Sequence, residues 1–528
     1  MTNAGVAAND ASSAPARPAS ANGDVAGRDR MAKNVLASWA GHLVLVVGGF
    51  IMPRLIDDRV GQTALGVWDF GWSLVSYFGL AEVGVGSSVN RYIAKYRAAG
   101  DNAGVNRTVS SVMAIQWLAA LLVVALTAAA TWSAPMLLSE RLGGLLNEAR
   151  WVILFLGLGL AVQMAFNGYV GVITGCHRWD LHNAINSTVY LVTTLGMVVV
   201  LAQGGGLKGL AMTHFVGTAL GETTRAWLAH RVCPELRIRR RDARWDVGVR
   251  LLKFGGKTML GTVSSLLLYQ ANSLLVVSHL GAAALAAYSR PLALVRHVRT
   301  FVSKFAFTLV PMASSLHATG QAAEVRDLMM ETGRYAAYIA LPPLVFAALM
   351  GDLILRVWMG PGYELGTVLT ILALGHLVTT SQQPLVNVLA GMNAHLPVSV
   401  AECIGSLIAV GLSALALGPL GLGLHGAAAA LVLPLLLLNG VFVTIYACRR
   451  LGVPVSGYLV AAWRGPLAAM VPFATTLALT RLLLQDRPGL CLLAGVAAGG
   501  LVVAAIYWQW VLPRSAKALL WSRRPSAT

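Results

Sequence analysis

The chain has 528 residues, of which 56% are hydrophobic and only 12% charged, with 55 glycines and a formal net charge of +18. The charged share is about half that of a soluble domain, so the polar skin needed by roughly two to four soluble domains of this total length is missing. That excludes an ordinary cytosolic enzyme, and it excludes disorder everywhere except at the ends.

In chain order, residues 1–32 come first, largely Ala, Ser, Asn, Pro and Gly without an apolar centre. This is the composition of an unfolded tail and not of a cleaved signal peptide, so the first apolar run is expected to be a retained helix. From there the apolar residues fall in long runs, and a run of about 18 or more spans about 30 Å of hydrocarbon as a helix. About fourteen such runs are expected. They are Val35 to Leu55, Leu65 to Val89, Thr108 to Ala130, Trp151 to Thr174, Ala184 to Leu201, Leu207 to Ala229 and Leu251 to Leu280, then Ala286 to Pro311, Tyr335 to Met359, Val368 to Leu389, Leu396 to Leu417, Leu424 to Cys448, Pro466 to Leu484 and Leu490 to Val511. Gly and Pro interrupt several of them, as membrane helices tolerate. The fold class that follows is an all-α polytopic membrane protein. Cys176, Cys233, Cys403, Cys448 and Cys491 are scattered without CxxC spacing and read as small buried hydrophobes, with no disulfide or metal.

A basic balance by itself also suits nucleic acid, so the location of the cations decides. They crowd into alternate segments. With the N-terminal tail inside, the inner segments hold Arg17, Arg28, Arg30 and Lys33, then Arg91, Lys95, Arg97 and Arg107, then Arg178, the dense run from Arg231 to Lys253, Arg326 and Arg334, Arg449 and Arg450, and the tail from Arg514 to Arg524. The outer segments hold far fewer, among them Arg54, Arg59, Arg141 and Arg150. This is the positive-inside pattern, which puts both termini in the cytoplasm and the chain in the cytoplasmic (inner) membrane, with no nucleic-acid partner. The block RIRRRDARW, Arg237 to Trp245, reads as an anchor against anionic lipid headgroups.

The chain also repeats itself. RVGQTALGVW around Gly61 matches HLGAAALAAY around Gly281, and KYRAAGD around Gly100 matches SLHATGQ around Gly320. VITGCHRWDLHN around Gly175 matches VLAGMNAHLPVS around Gly391, and GGGLKGLA at Gly209 matches LGLGLHGAA at Gly426. Two six-helix bundles entering the membrane in the same sense form a parallel pseudo-two-fold repeat, with a cavity between them. The expected organisation is a cytoplasmic tail (1–32), an N-lobe of helices one to six (33–230), a basic cytoplasmic linker (231–250), a C-lobe of helices seven to twelve (251–450), two C-terminal helices (451–512) and a second cytoplasmic tail (513–528).

At these landmarks the chain resembles the multidrug/oligosaccharidyl-lipid/polysaccharide (MOP) exporter superfamily, and within it the Wzx-type polysaccharide-flippase branch. The resemblance runs from about Lys33 to Val511 and rests on three stretches: PRLIDDRVGQTALGVWDF, GLAEVGVGSSVNRYIAKYRAAGD and GCHRWDLHN. Trp68 stands where the family more usually has Tyr. The resemblance implies alternating access and a substrate that is an undecaprenyl-diphosphate-linked oligosaccharide, carried from the cytoplasmic to the outer leaflet. Membrane lipid and a polysaccharide polymerase with its export machinery would be partners, and no cofactor or metal is implied.

Charges within spans are expensive and so mark function. The eighth span, SRPLALVRHVRTFVSKF, carries Arg290, Arg296, Arg299 and Lys304 with His297 and contains no acid. Arg290, His297 and Lys304 recur at heptad intervals, while Arg296 and Arg299 lie one turn apart on the adjacent strip. Each would cost about 2.5–3.5 kcal/mol against lipid near the bilayer centre, so together they are expected to face water and an anion. A diphosphate fits, with Lys257 and Arg54 as further substrate-binding candidates. The bland alternative has Arg290 and Lys304 snorkelling to the two interfaces, with Asp69 and Glu82 pairing Arg296 and Arg299 across the lobes. The repeat sets Asp69 opposite Ser289, beside Arg290, so Asp69 is a gating candidate, and Glu82 is a further candidate for gating or ion coupling. Glu402 is either a proton or sodium site or a structural buried carboxyl, and His376 is the other isolated polar point of the second half. His42, His214 and Asn272 read as cavity lining or interhelix bonds.

No GxxxxGK, HExxH or paired acidic motif is present, and no connecting loop exceeds about 25 residues, so the chain reads as a non-enzyme. The rivals are a cation-exporting multidrug transporter, which should line its cavity with acids, and a membrane glycan polymerase or ligase, which needs a large catalytic outer loop. A scaffold without transport is the third.

Overall fold

The computed structural model describes residues 31–82 and 86–511, without the side chains of 31–40, 42, 86–88, 134–136 and 250–259. Hydrocarbon offers backbone N–H and C=O groups no water, so long apolar runs must close their hydrogen bonds internally as helices. All regular structure among the described residues is helical.

The first half holds α1 (Met31–Val60), α2 (Gln62–Phe78), whose end tightens into a 3-10 turn at Gly79–Glu82, α3 (Gly86–Ala98), α4 (Asn102–Leu138), α5 (Leu146–Gly175), α6 (Trp179–Ala202) and α7 (Gly206–Val232). The second half opens with α8 (Trp245–Leu266), a π-helical turn at Leu267–Ala271 and α9 (Asn272–Leu280). It continues through α10 (Ala282–Phe307), α11 (Leu309–Ala318), α12 (Ala322–Met359), α13 (Gly366–Ser381), α14 (Gln383–Gly391), α15 (Leu396–Leu417), α16 (Gly423–Leu435), a second π-helical stretch at Leu436–Val443, and α17 (Thr444–Leu451). Last come α18 (Val455–Leu483) and α19 (Pro488–Ile506). Among the described residues, nine helices are long and apolar enough to cross a membrane. The other passages are broken or charge-bearing, so the figure of fourteen crossings rests on the sequence.

The repeat is written into the backbone. The helix breaks at Gly61 and Gly281 share positive φ values of 100° and 86°. Among the described residues the only non-glycine positions with positive φ are His177 (57°) and Asn393 (55°), which occupy the same place in the two halves. A side chain in this left-handed region is disfavoured, so its recurrence at matched turns reflects one supersecondary plan used twice.

In the first half α5 packs against α2, α3, α4 and α7, and α6 bridges α1 and α7. In the second half α12 and α13 pack together, and α13 also meets α10 and α16. The halves meet where α2 lies on α10 and α1 on α12, sharing a core that includes Val67 and Phe70 with Leu285 and Tyr288. The contact is closest beside the Gly61 and Gly281 breaks, where a Cβ on Gly66 would lie 1.8 Å from the carbonyl oxygen of Ala282. Only glycine permits two helices to approach so far. The α4–α5 turn locks the same end: the Ala282 N–H donates to the Arg141 carbonyl at 3.0 Å, and Arg141 Nη1 donates to the His279 carbonyl at 3.0 Å.

Both C-terminal helices lie against α12. α19 buries only Cys491, Gly495 and Gly499, while Leu493 and Leu501 are more than two-thirds exposed (71% and 72%). An apolar surface of that kind is stable only against lipid.

Candidate functional site

The four cations of the eighth span lie on α10, and the structure separates them. Arg290, 5% exposed, forms an ion pair with Asp69 of α2, joining the two halves just below their closest contact. Tyr288, two residues before Arg290, is buried as well, and its Oη accepts from Asn272 Nδ2 at 2.9 Å. Two turns further, His297 stacks on Phe50 of α1 with ring centroids 5.7 Å apart, and Trp358 Nε1 donates to the Phe50 carbonyl at 2.7 Å. These contacts form a second seam between the halves.

Arg296 and Arg299 turn the other way, toward the second half. Arg299 Nη1 donates to Tyr269 Oη at 2.5 Å, and the Arg296 guanidinium lies over the same ring, 4.9 Å from its centroid. Tyr269 Oη also meets His376 Nε2 at 3.2 Å, while His376 Nδ1 donates to the Leu372 carbonyl. That backbone bond fixes the tautomer, leaving Nε2 to accept the phenol proton. The phenol oxygen then receives from Arg299, so one tyrosine orients both guanidinium groups. Among the described residues no carboxylate is ion-paired with Arg296 or Arg299.

Arg299 lines a cavity with Glu402, Ser264, Thr379, Gln383 and Asn439. The cavity lies where three helical passages lose α geometry: the π turn carrying Tyr269, the π stretch carrying Asn439, and the α13–α14 break next to Thr379 and Gln383. Irregular backbone within a membrane is stable only where protein or a water-filled cavity satisfies it, and π turns concentrate at functional sites.

Of the remaining candidates, Lys304 is exposed at the end of α10. Arg54 pairs with Asp58 at 2.8 Å, one turn on in α1, and its guanidinium packs against Gly360. The side chain of Lys257 is outside the described residues. Asp69 and Glu82 do not neutralise Arg296 and Arg299: Asp69 is held by Arg290, and Glu82 faces into the first half.

There Glu82 Oε1 accepts from Asn167 Nδ2 at 2.8 Å, in the wall of a cavity of about 300 Å³. Glu222 and Arg225 of α7 form a buried ion pair beside it, and Arg225 Nη2 also donates to Asn186 Oδ1 at 2.6 Å. This cluster has little sequence signal, because an acid and a base three residues apart in an apolar run read as a self-neutralised pair. His214, expected as lining, sits edge-on to Trp72 with ring centroids 5.1 Å apart. Among the described residues, no group of three or more His, Cys, Asp or Glu side chains could hold a metal.

A family model described as polysaccharide biosynthesis protein matches residues 105–364. The chain is similar to an inward-facing multidrug resistance MATE family transporter of the MOP superfamily, at TM-score 0.65 and 14% identity over 78% of this chain and 94% of that one. It is equally similar to the lipid II flippase MurJ in an inward closed conformation, at TM-score 0.65 and 11% identity over 91% and 99%. The chain shares the fold of these two proteins. A third MOP structure, from Pyrococcus furiosus, described as having a binding pocket of reversed polarity that suggests a different function, matches at TM-score 0.55 and 14% identity over 81% and 96%. No curated protein matches the chain. The chain is thus a multi-pass membrane protein, with nine helices among the described residues long and apolar enough to cross a membrane, and proteins that share its fold include transporters and a flippase.

Proposed function

We propose that this MOP-type protein is a flippase that carries an undecaprenyl-diphosphate-linked oligosaccharide from the cytoplasmic to the outer leaflet of the inner membrane, for polysaccharide biosynthesis. The observation that carries the reading is the pair Arg296 and Arg299, held by Tyr269 beside an interior cavity with no ion-paired carboxylate among the described residues. With one carboxyl, Glu402, in the cavity wall against two guanidinium groups, a positive excess remains that suits a diphosphate, whose oxygens accept paired N–H donors, and each charge-assisted contact contributes about 1.5–3 kcal/mol. A protein is needed because a sugar head stripped of water costs several kcal/mol per polar group in hydrocarbon.

On this reading residues 33–230 and 251–450 are the two rocking lobes, both termini are cytoplasmic, and the Gly61–Gly281 end is the outer gate. Asp69 and Arg290 close that gate when no substrate is bound. The lipid tail stays in the bilayer while the head crosses between the lobes, and polymerase and export machinery receive the product. An anionic head leaving a negative interior moves down the field, worth about 2.3 kcal/mol per charge per 100 mV. The membrane potential therefore drives export, and Glu402 need not carry a coupling ion.

Proteoliposomes holding a fluorescent diphosphate-linked saccharide test this. Export should fall when the potential is collapsed and should persist in Glu402→Gln. Export that ignores the potential but vanishes in Glu402→Gln would replace field drive by ion exchange. Export of organic cations instead of the saccharide would remove the reading altogether.

A further inference from the structure

The basic segment that joins the halves is fastened to the first of them. Asn106 of α4 brackets its backbone: Oδ1 accepts from the Arg237 N–H at 2.8 Å, and Nδ2 donates to the Glu235 carbonyl at 3.3 Å. Ser110 Oγ accepts from the Arg239 N–H at 3.2 Å, and Ser111 Oγ from the Arg244 N–H at 2.9 Å. Successive side chains of an extended chain face opposite ways. Leu236 and Ile238 accordingly enter a core shared with α3, α4 and α5, while Arg237 and Arg239 are exposed. Arg240, Arg241 and Arg244 are exposed as well, and among the described residues none of these five arginines is ion-paired. A segment that the sequence marks as a linker is thus a fixed, basic face of the first half.

Three tryptophans lie at the same end of that half. Trp179 opens α6, Trp227 is near the end of α7 and Trp245 opens α8, and they are 42%, 54% and 71% exposed. The Arg231 guanidinium lies over the Trp227 ring, 4.5 Å from its centroid. Exposed tryptophans gather at the headgroup level of a bilayer, where the ring meets hydrocarbon and the N–H meets water. They set the arginines at the depth of lipid phosphates, which guanidinium groups bind bidentately.

The second half has no equivalent. Lys95 and Arg97 of α3 correspond in the repeat to Ser315 and His317, and the start of α12 mixes Arg326 and Arg334 with Glu324, Asp327 and Glu331. A soluble acidic partner would match the arginines but leave the tryptophans in water. An anionic bilayer surface matches both.

We propose that this face of the first half is a docking surface for anionic lipid headgroups, so that an acidic leaflet grips one half of the protein and not the other. The proposal goes beyond the flippase reading and does not rest on it.

The test is native mass spectrometry of the purified full-length protein with phosphatidylglycerol and with phosphatidylcholine of the same chains. The wild type should retain phosphatidylglycerol in preference. Arg239→Gln/Arg240→Gln/Arg241→Gln should weaken that binding about tenfold or more, while the triple replacement by lysine keeps most of it. Arg326→Gln/Arg334→Gln should leave it unchanged. All three arginines are exposed, so their replacement does not threaten folding, which gel filtration checks. Equal retention of the two lipids, indifference to the glutamine triple, or an equal loss from the second-half pair overturns the proposal. Displacement of the lipid by an equal concentration of soluble glycerol 3-phosphate would show a site for free phosphate and also overturn it. So would polyglutamate that binds the protein as tightly in phosphatidylglycerol nanodiscs as in phosphatidylcholine ones, because the arginines would then face a soluble acidic partner.

Discussion

The two halves share a backbone plan and differ in chemistry. Gly61 and Gly281 break helices in the same way, and His177 and Asn393 share an unusual conformation. Yet the first half's cavity sets Glu82 and Glu222 around one arginine that is already paired, while the second half's presents Arg299 and Glu402, with Arg299 held on Tyr269 and Arg296 over the same ring. The duplicated backbone supplies the two bundles. The side chains set inside each bundle then decide what that bundle can hold.

The largest effect expected from breaking this arrangement is at the seam. Reversing either Asp69 or Arg290 alone leaves a buried charge unmatched, at about 3–5 kcal/mol, and should abolish export and lower the melting temperature. The exchange Asp69→Arg with Arg290→Asp should partly restore both, and complete loss in the exchange would show that the pair does more than attract. Next is the double variant Arg296→Gln/Arg299→Gln. Losing two charge-assisted contacts should cost at least about a hundredfold in diphosphate affinity while the fold persists, as read by calorimetry and gel filtration.

Gly66→Ala comes third. Its methyl would overlap the Ala282 carbonyl, so α2 and α10 must part, at about 1–3 kcal/mol. Spin labels at Thr63 and Ala283 should report a longer distance than in the wild type, with a larger population open at that end. The smallest effect sharpens the comparison most. Tyr269→Phe keeps the ring beneath Arg296 but removes the hydroxyl that holds Arg299, which should weaken diphosphate binding about tenfold or less, as read by calorimetry with pyrophosphate.

Much of the architecture was legible because membrane helices announce themselves by length and apolarity, and because the helix-breaking glycines recur at one offset. The register of the repeat also sufficed to bring Asp69 beside Arg290, since it sets Asp69 opposite Ser289. The assignment of Glu82 as a partner for the eighth-span arginines failed for a geometric reason: it lies on the 3-10 turn that ends α2 and faces Asn167 within its own half. The role of Tyr269 was not legible, because a π turn has no sequence signature and places a side chain off the helical repeat. Nor was the cluster around Arg225, because tertiary contact between α6 and α7, and not local spacing, joins Asn186 to it.

The account stands most directly on where the diphosphate sits. A photo-crosslinking residue at Thr379, in the wall shared with Arg299, should label a diphosphate-linked saccharide in the wild type and lose that labelling in Arg296→Gln/Arg299→Gln. Labelling that survives the loss of both arginines, or that is competed away by organic cations and not by pyrophosphate, would contradict it.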